Sequence, residues 1–187
     1  LESAVLGMRA MGFRGGNFTI PHKVAVIQHL DGLSESAELM GAVNCVNRDG
    51  DRLIGENTDG KGFVRSLQEI TSPAEKRVVI FGAGGAARAI AVELGLSEVS
   101  HITIVNRTQE RGQELVNLLN QRVGVKADFV PWSGDYQVDE EVDLVINATS
   151  IGLGDPDARV PVDAGSLHGD MVVADVVFNP PQTVFLQ

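Results

Sequence analysis

The sequence predicts an α/β protein in which a mainly parallel sheet follows a smaller α/β unit, and three observations carry that reading. In the stretch Arg77 to Ala91, RVVIFGAGGAARAIA, an apolar run from Val78 to Phe81 stops at Gly82, and an alanine-rich segment follows Gly85. This reads as strand, tight turn and helix. Further apolar runs at His101–Val105, Ala127–Val130, Val142–Ile146 and Met171–Phe178 alternate with helix-forming stretches, the pattern of a parallel sheet with crossover connections. Finally, Ser72-Pro73 punctuates the segment Thr71 to Lys76, which sets a boundary between residues 1–72 and 73–187.

The glycine turn decides what kind of sheet this is. Gly82, Gly84 and Ala87 fit the Rossmann-type G-x-G-x-x-G/A pattern: the first glycine makes the turn, the second lets backbone approach a pyrophosphate, and the small third residue lets helix pack on strand. Gly82, Ala83, Gly84, Gly85 and Ala86 are the candidate phosphate cradle, with the unpaired N–H groups of the helix start aimed at the ligand. The second strand ends in Asn106-Arg107-Thr108, where such a unit places its ribose-reading residue. NAD sites usually carry Asp or Glu there, and this chain has neither. Arg107, with Arg111 one helical turn on, predicts a 2′-phosphate and therefore NADP; the alternative is a pair of solvated surface arginines. In parallel sheets ligands lie beyond the carboxyl ends of the strands. That aligns the glycine turn, Asn106 to Thr108, and Asn147 to Gly152, including Thr149, along one rim.

Composition sets the bounds. The chain has 187 residues, 43% hydrophobic and 21% charged, with a formal net charge of -10, which argues against nucleic acid as a main partner. The single cysteine, Cys45, excludes an internal disulfide and suits a reducing compartment, here expected to be cytoplasmic. No signal peptide is visible. The most apolar region, Val78 to Leu96, contains Arg88, Glu93 and several glycines, so it reads as buried strand and helix and not as a membrane span. The four histidines, His22, His29, His101 and His168, show no ligand spacing, and no metal is expected. The chain begins with Leu1 and stops at Gln187 directly after an apolar run, so both ends are expected to belong to something longer.

In the first unit, Leu1 to Met11 predicts a short helix, Phe18 to Ile20 a strand, and Pro21 the start of a helix running through Leu30. Thr19 and Lys23 then sit at a strand end and in a first helical turn, where sites are built. Asn44 interrupts the apolar run Leu39 to Val46 and must find hydrogen-bond partners, in local backbone or in a site. Arg48 to Asp51 is a turn between two strands. Asp59, within Glu56 to Gly60, is on local physics the N-cap of a helix over Lys61 to Ile70.

The motifs GFRGGNFTIPHK (Gly12–Lys23), GAVNCV (Gly41–Val46), GENTDGKGF (Gly55–Phe63), GAGGAARA (Gly82–Ala89), NRT (Asn106–Thr108) and NATSIGL (Asn147–Leu153) resemble, in this order and spacing, those of the shikimate dehydrogenase family along essentially the whole chain. The resemblance implies a substrate domain, residues 1–72, and an NADP-binding Rossmann domain, residues 73–187, flanking a cleft. It implies reduction of 3-dehydroshikimate to shikimate by NADPH, in aromatic amino-acid and chorismate biosynthesis. Lys23 and Asp59 become the catalytic pair, Thr19 and Asn44 hold substrate hydroxyls, Gly82, Gly84 and Gly85 cradle the pyrophosphate, and Asn106, Arg107, Thr108 and Arg111 face the adenosine phosphate. A monomer or homodimer is expected. The family's N-terminal strand with its S-x-S motif and its C-terminal helix are missing here; Cys45 stands where threonine is common and Phe178 where tyrosine is often found. Two alternatives stay open: an NAD-dependent quinate or shikimate dehydrogenase, and a non-catalytic cofactor-binding module.

Carbonyl reduction needs a hydride and a proton, with a donor placed at the oxygen that becomes negative. A lysine beside a carboxylate is held as an ammonium ion, so Lys23 next to Asp59 is suited to that donation.

Overall fold

The computed structural model describes residues 1–19 and 21–187. Its chain order is α1 (Glu2–Ala10), β1 (Gly15–Asn17), α2 (His22–Ala25), β2 (Gly32–Leu33), α3 (Glu35–Met40), β3 (Cys45–Asp49), β4 (Arg52–Glu56), α4 (Thr58–Gln68), β5 (Arg77–Phe81), α5 (Gly85–Leu96), β6 (His101–Asn106), α6 (Gln109–Leu118), β7 (Lys126–Pro131), β8 (Leu144–Asn147) and β9 (Val172–Asp175). The strands form two sheets. One is four-stranded and mixed, in the order β1-β3-β4-β2, and the other is five-stranded in the order β7-β6-β5-β8-β9, with every neighbouring pair parallel.

The parallel sheet places β5 at its centre, so the loop after β5 opens at a topological switch point. One face carries the main core, in which Val78, Ile80, Ile102, Ile104, Leu144 and Ile146 pack against α5 and α6. The other face has Val79, Phe81, Val105 and Val145 under Val138, Val142, Val160, Val162 and Met171. These covering residues come from irregular chain. The expected alternation of strand and helix therefore holds only up to β7, because among the described residues no α-helix lies between β7 and β8 or between β8 and β9. The sheet stays parallel because an extended covering segment buries that face as a helix would. At its base, Asp143 accepts from Lys76 Nζ at 2.8 Å and from the Arg77 N–H at 2.8 Å, tying the start of β8 to the start of β5.

The small sheet has its own core of Val5, Val26, Ala37, Val43, Val46 and Leu53. Its hairpin β3–β4 matches the predicted turn. The other elements shift. The strand expected at Phe18–Ile20 lies earlier, at Gly15–Asn17, because Gly15 can lie against Val46 where a Cβ would collide with its carbonyl oxygen; Ile20 is outside the described residues. The helix expected from Pro21 to Leu30 breaks into α2 and a 3-10 turn at Ile27–His29. β2, which pairs in parallel with β4, and α3 were not anticipated.

Residues 1–72 and 73–187 share a core. Leu39, Met40, Val64 and Leu67, from α3 and α4, belong to the same buried cluster as α5.

Candidate active site

The end of the site expected to take phosphate is built from backbone. At the end of β5, Gly82 has φ +108 and would bring a Cβ to 2.9 Å from the Ala148 carbonyl oxygen, so the turn excludes a side chain. Its N–H donates to Val105 O at 2.8 Å. Gly84 is the N-cap of α5, and the space where Gly84 or Gly85 would carry a Cβ is open. The first N–H groups of the twelve-residue α5 have no helical acceptor, and they border a groove of about 670 Å³ lined by Gly82 to Ala86, Asn106, Arg107, Trp132, Ala148 to Ser150, Leu153 and Val176 to Phe178. A second cavity of about 300 Å³ shares Ala83 to Gly85 and adds Arg88, Arg111 and Glu114.

This gathers most of the predicted cofactor residues. Gly82, Ala83, Gly84, Gly85, Ala86, Asn106, Arg107 and Thr149 line the groove, and Arg111 lines the adjoining cavity. Thr108 lines neither; its carbonyl accepts from Asn106 Nδ2 at 2.8 Å. Among the described residues neither Arg107 nor Arg111 forms an ion pair, whereas Arg88 is paired with Glu114 at 3.2 Å. None of Trp132, Leu153, Val176 and Val177, which also line the groove, is among the site residues expected from sequence. Trp132 was findable, because it directly follows a strand whose C-terminal end faces the rim.

The other half is built from side chains. Lys23 of α2 and Asp59 of α4 meet at 2.7 Å, with 28% and 45% of their side chains exposed. Asp59 is not the helix cap. Asn57 is, its side chain accepting from the Asp59 N–H at 3.1 Å while its own amide donates to Ala42 O. The structure thus leaves both Asp59 oxygens for other partners: Oδ2 for Lys23, and Oδ1 for Asn44 Nδ2 at 2.6 Å. Asn44 is buried, and its Oδ1 accepts from the Thr58 N–H at 2.8 Å. Its amide is therefore turned toward the start of α4. Lys23 is held from behind by Val43, whose N–H donates to the Lys23 carbonyl at 2.8 Å. Thr19 is exposed, and its carbonyl accepts from the His22 N–H at 2.7 Å. Cys45, next to Asn44, is half-buried with its Sγ 3.8 Å from Asn47 Oδ1.

Gly60 connects the two halves. A Cβ there would collide with the Ala89 carbonyl oxygen and stand 2.6 Å from Glu93 Cγ, so α4 touches the backbone of α5. Asp59 is one residue before that contact, and the glycine turn lies about one helical turn before it on α5.

A parallel sheet with a glycine turn at its switch point, joined through Gly60 to a unit bearing a Lys–Asp pair, defines a Rossmann-type α/β protein with a second, smaller α/β unit. The family described as "Shikimate dehydrogenase substrate binding domain" matches residues 1–46, and the one described as "Shikimate / quinate 5-dehydrogenase" matches residues 65–152. The shikimate dehydrogenase (NADP(+)) of Desulfitobacterium hafniense is 45% identical over 188 residues, covering 100% of this chain and 67% of the relative. The ligand-free 5-ketofructose reductase of Gluconobacter sp. strain CHM43 superposes with TM-score 0.96 at 56% identity, over 98% of this chain and 66% of that one. The shikimate 5-dehydrogenase of Listeria monocytogenes, solved with shikimate and NAD, superposes with TM-score 0.90 at 34% identity, over 99% and 67%. The chain belongs to the shikimate/quinate dehydrogenase family and spans about two thirds of the length of these relatives.

Proposed function

We propose that this protein reduces a ring ketone to the alcohol with NADPH, that the ketone is 3-dehydroshikimate and the product shikimate, and that the reaction is the reversible step of aromatic amino-acid biosynthesis. Residues 1–72 bind substrate and residues 73–187 bind cofactor. The observation that carries this reading is the Lys23–Asp59 pair, which the Gly60 contact sets beside the helix whose N-terminus borders the groove.

The groove residues fit the cofactor: open backbone at Gly84 and Gly85 admits a pyrophosphate, and Arg107 and Arg111, free of ion pairs among the described residues, suit a 2′-phosphate. NADPH, when bound, supplies the hydride. Lys23 Nζ gives its proton to the carbonyl oxygen as negative charge develops there. Asp59 aims the ammonium group through Oδ2, and Asn44 fixes Asp59 through Oδ1. Both members of the pair are partly exposed, so the proton is replaced from solvent. In the oxidative direction the Lys23 ammonium must first give up a proton, to Asp59 or to solvent, and the neutral amine then accepts the proton of the alcohol. In this reading Thr19 and Asn44 hold substrate hydroxyls, as the family resemblance implies.

The 56% identity to the Gluconobacter enzyme favours a second reading in which the same machinery reduces 5-ketofructose. Both substrates are polyhydroxylated ketones. NADPH oxidation by this protein, followed at the reduced-nicotinamide band with each ketone, separates them. Turnover of 3-dehydroshikimate alone supports the first reading, turnover of 5-ketofructose alone supports the second, and NADPH binding without turnover of either supports a cofactor-binding module.

A further inference from the structure

Asp175 is the last residue of β9, and its carboxylate gathers donors from three separate segments. Oδ1 accepts from Asn147 Nδ2 and from the Val177 N–H, each at 2.9 Å, and Oδ2 accepts from the Thr183 hydroxyl at 2.6 Å. Asn147, Val177 and Thr183 are all buried, and none of the ion pairs among the described residues includes Asp175. The charge is held by neutral donors alone.

Asn147, at the end of β8, carries the connection onward. Its Oδ1 accepts from the N–H and the hydroxyl of Thr149 at 3.1 and 2.7 Å, and its Nδ2 also donates to Ile151 O at 3.3 Å. The Thr149 hydroxyl oxygen in turn accepts from the Ile151 N–H at 3.0 Å. Gly152, with φ +98, would bring a Cβ to 3.3 Å from Thr183 Cγ2, so the segment holding Thr183 lies directly against this loop. One carboxylate thus ties the loop after β8 to the loop after β9. Both loops line the groove, through Ala148 to Ser150 and Leu153 on the first and Val176 to Phe178 on the second, whereas Asp175 itself does not. It lines instead a cavity of about 240 Å³ shared with Phe63, Ser66 and Leu67 of α4. The wall it holds is therefore on the side of the helix that carries Asp59.

We propose that Asp175 is a positioning residue for hydride transfer. Standing outside the groove, it sets the spacing of the two loops where the reacting end of the cofactor meets the ketone, and so acts on kcat and not on the hold of the phosphate end. A carboxylate offers two acceptor oxygens and no donor, which suits a point where three donors converge. Its charge makes these hydrogen bonds stronger than neutral ones, and a displacement of about 1 Å at the reacting atoms costs on the order of 100-fold in rate.

The proposal rests on the groove being the cofactor site and the reaction a ketone reduction, and the test keeps the failures apart. The protein is assayed with NADPH and whichever of 3-dehydroshikimate and 5-ketofructose it turns over, and its binding of adenosine 2′,5′-bisphosphate is followed by calorimetry. Asp175→Ala lowers kcat about 10- to 100-fold, raises the primary isotope effect on kcat with NADPH deuterated at the transferred position, and leaves the adenosine 2′,5′-bisphosphate Kd at the parental value. Asp175→Asn recovers most of the loss, because its amide oxygen still accepts from Asn147 and Val177 and the Thr183 hydroxyl can turn to accept. Thr183→Val, which removes a single donor and keeps the side-chain shape, lowers kcat by less and carries the test if the alanine variant does not fold. Parental kcat in both Asp175→Ala and Thr183→Val overturns the role of Asp175 and leaves the cofactor and the reaction standing. Loss of adenosine 2′,5′-bisphosphate binding in step with kcat, with no rescue by asparagine, overturns it as well, since the network then holds the fold and not the reacting end. A parental protein that binds adenosine 2′,5′-bisphosphate but turns over neither ketone overturns the reaction and this role together, and one that does not bind it overturns the cofactor reading with them.

Discussion

The two sheets solve different problems. The parallel sheet buries both faces, under two helices on one side and extended chain on the other, and its site is made of backbone at the end of a central strand. The small mixed sheet has a single modest core, and its site is made of side chains brought in by α2, α4 and the residue before β3. A backbone site tolerates few residue types but needs little help from afar. A side-chain site depends on whatever holds each group, and here the holders are Asn44, Asn57, Val43 and the contact of Gly60 with α5.

Breaking the side-chain half at its centre has the largest expected effect. Lys23→Ala lowers kcat about 100-fold or more, as loss of a general acid does, and leaves the NADPH Kd unchanged by calorimetry; a loss of NADPH binding with kcat preserved would refute the division of labour between the halves. Next is the joint between them. Gly60→Ala forces α4 away from Ala89 and costs about 1–3 kcal/mol of stability in urea denaturation. In the folded fraction it lowers kcat more than it raises the NADPH KM, because Asp59 moves and the groove does not. Asn57→Ala removes the cap of α4, for about 1 kcal/mol, and frees the Asp59 N–H; an unchanged melting temperature would show that Asn57 is not the clamp described here.

The smallest effect sharpens the comparison from the cofactor side. Burial is the largest single influence on the Asp143 carboxyl and pushes its pKa up, but the Lys76 ammonium and the Arg77 N–H together outweigh it and hold the group below the usual carboxylate range. A lowered folded-state pKa contributes stability that is present above the unfolded value, near 3.9, and is lost as pH falls through the folded one. Asp143→Asn is therefore expected to cost less than about 1 kcal/mol at pH 7, given solvent screening. The gap between variant and parent closes below about pH 4. Thermal melts across that range check the sign.

How much could be read in advance follows the same split. The glycine turn was legible because its requirements are local: Gly82 must adopt a left-handed backbone and clear Ala148, and neither depends on a distant side chain. The hairpin β3–β4 was legible for the same reason. Asp59 was misread as a cap because Asn57 and Asp59 are both good caps by residue type, and only the path of the chain out of β4 gives the position to Asn57. For Asn44 the sequence allows either local backbone or a site as its partner. The structure turns its amide toward Thr58 and Asp59, a pairing made by strand and helix packing. Short α3 and the two-residue β2 carry too few residues for a periodic signal.

The sequence by itself determined the class of fold and the place of the glycine turn, and Arg107 with Arg111, in the absence of an acidic residue after the second strand, carries the expectation of NADP. These rest on glycine conformation, apolar periodicity and charge, which act over a few residues. The tertiary structure decided which carboxylate is free to pair with Lys23, what holds it there, and that α3 and α4 pack into the core of the parallel sheet. Those outcomes depend on contacts such as Gly60 with Ala89, between residues far apart in the chain, where a collision of one Cβ with one carbonyl oxygen sets the distance between helices.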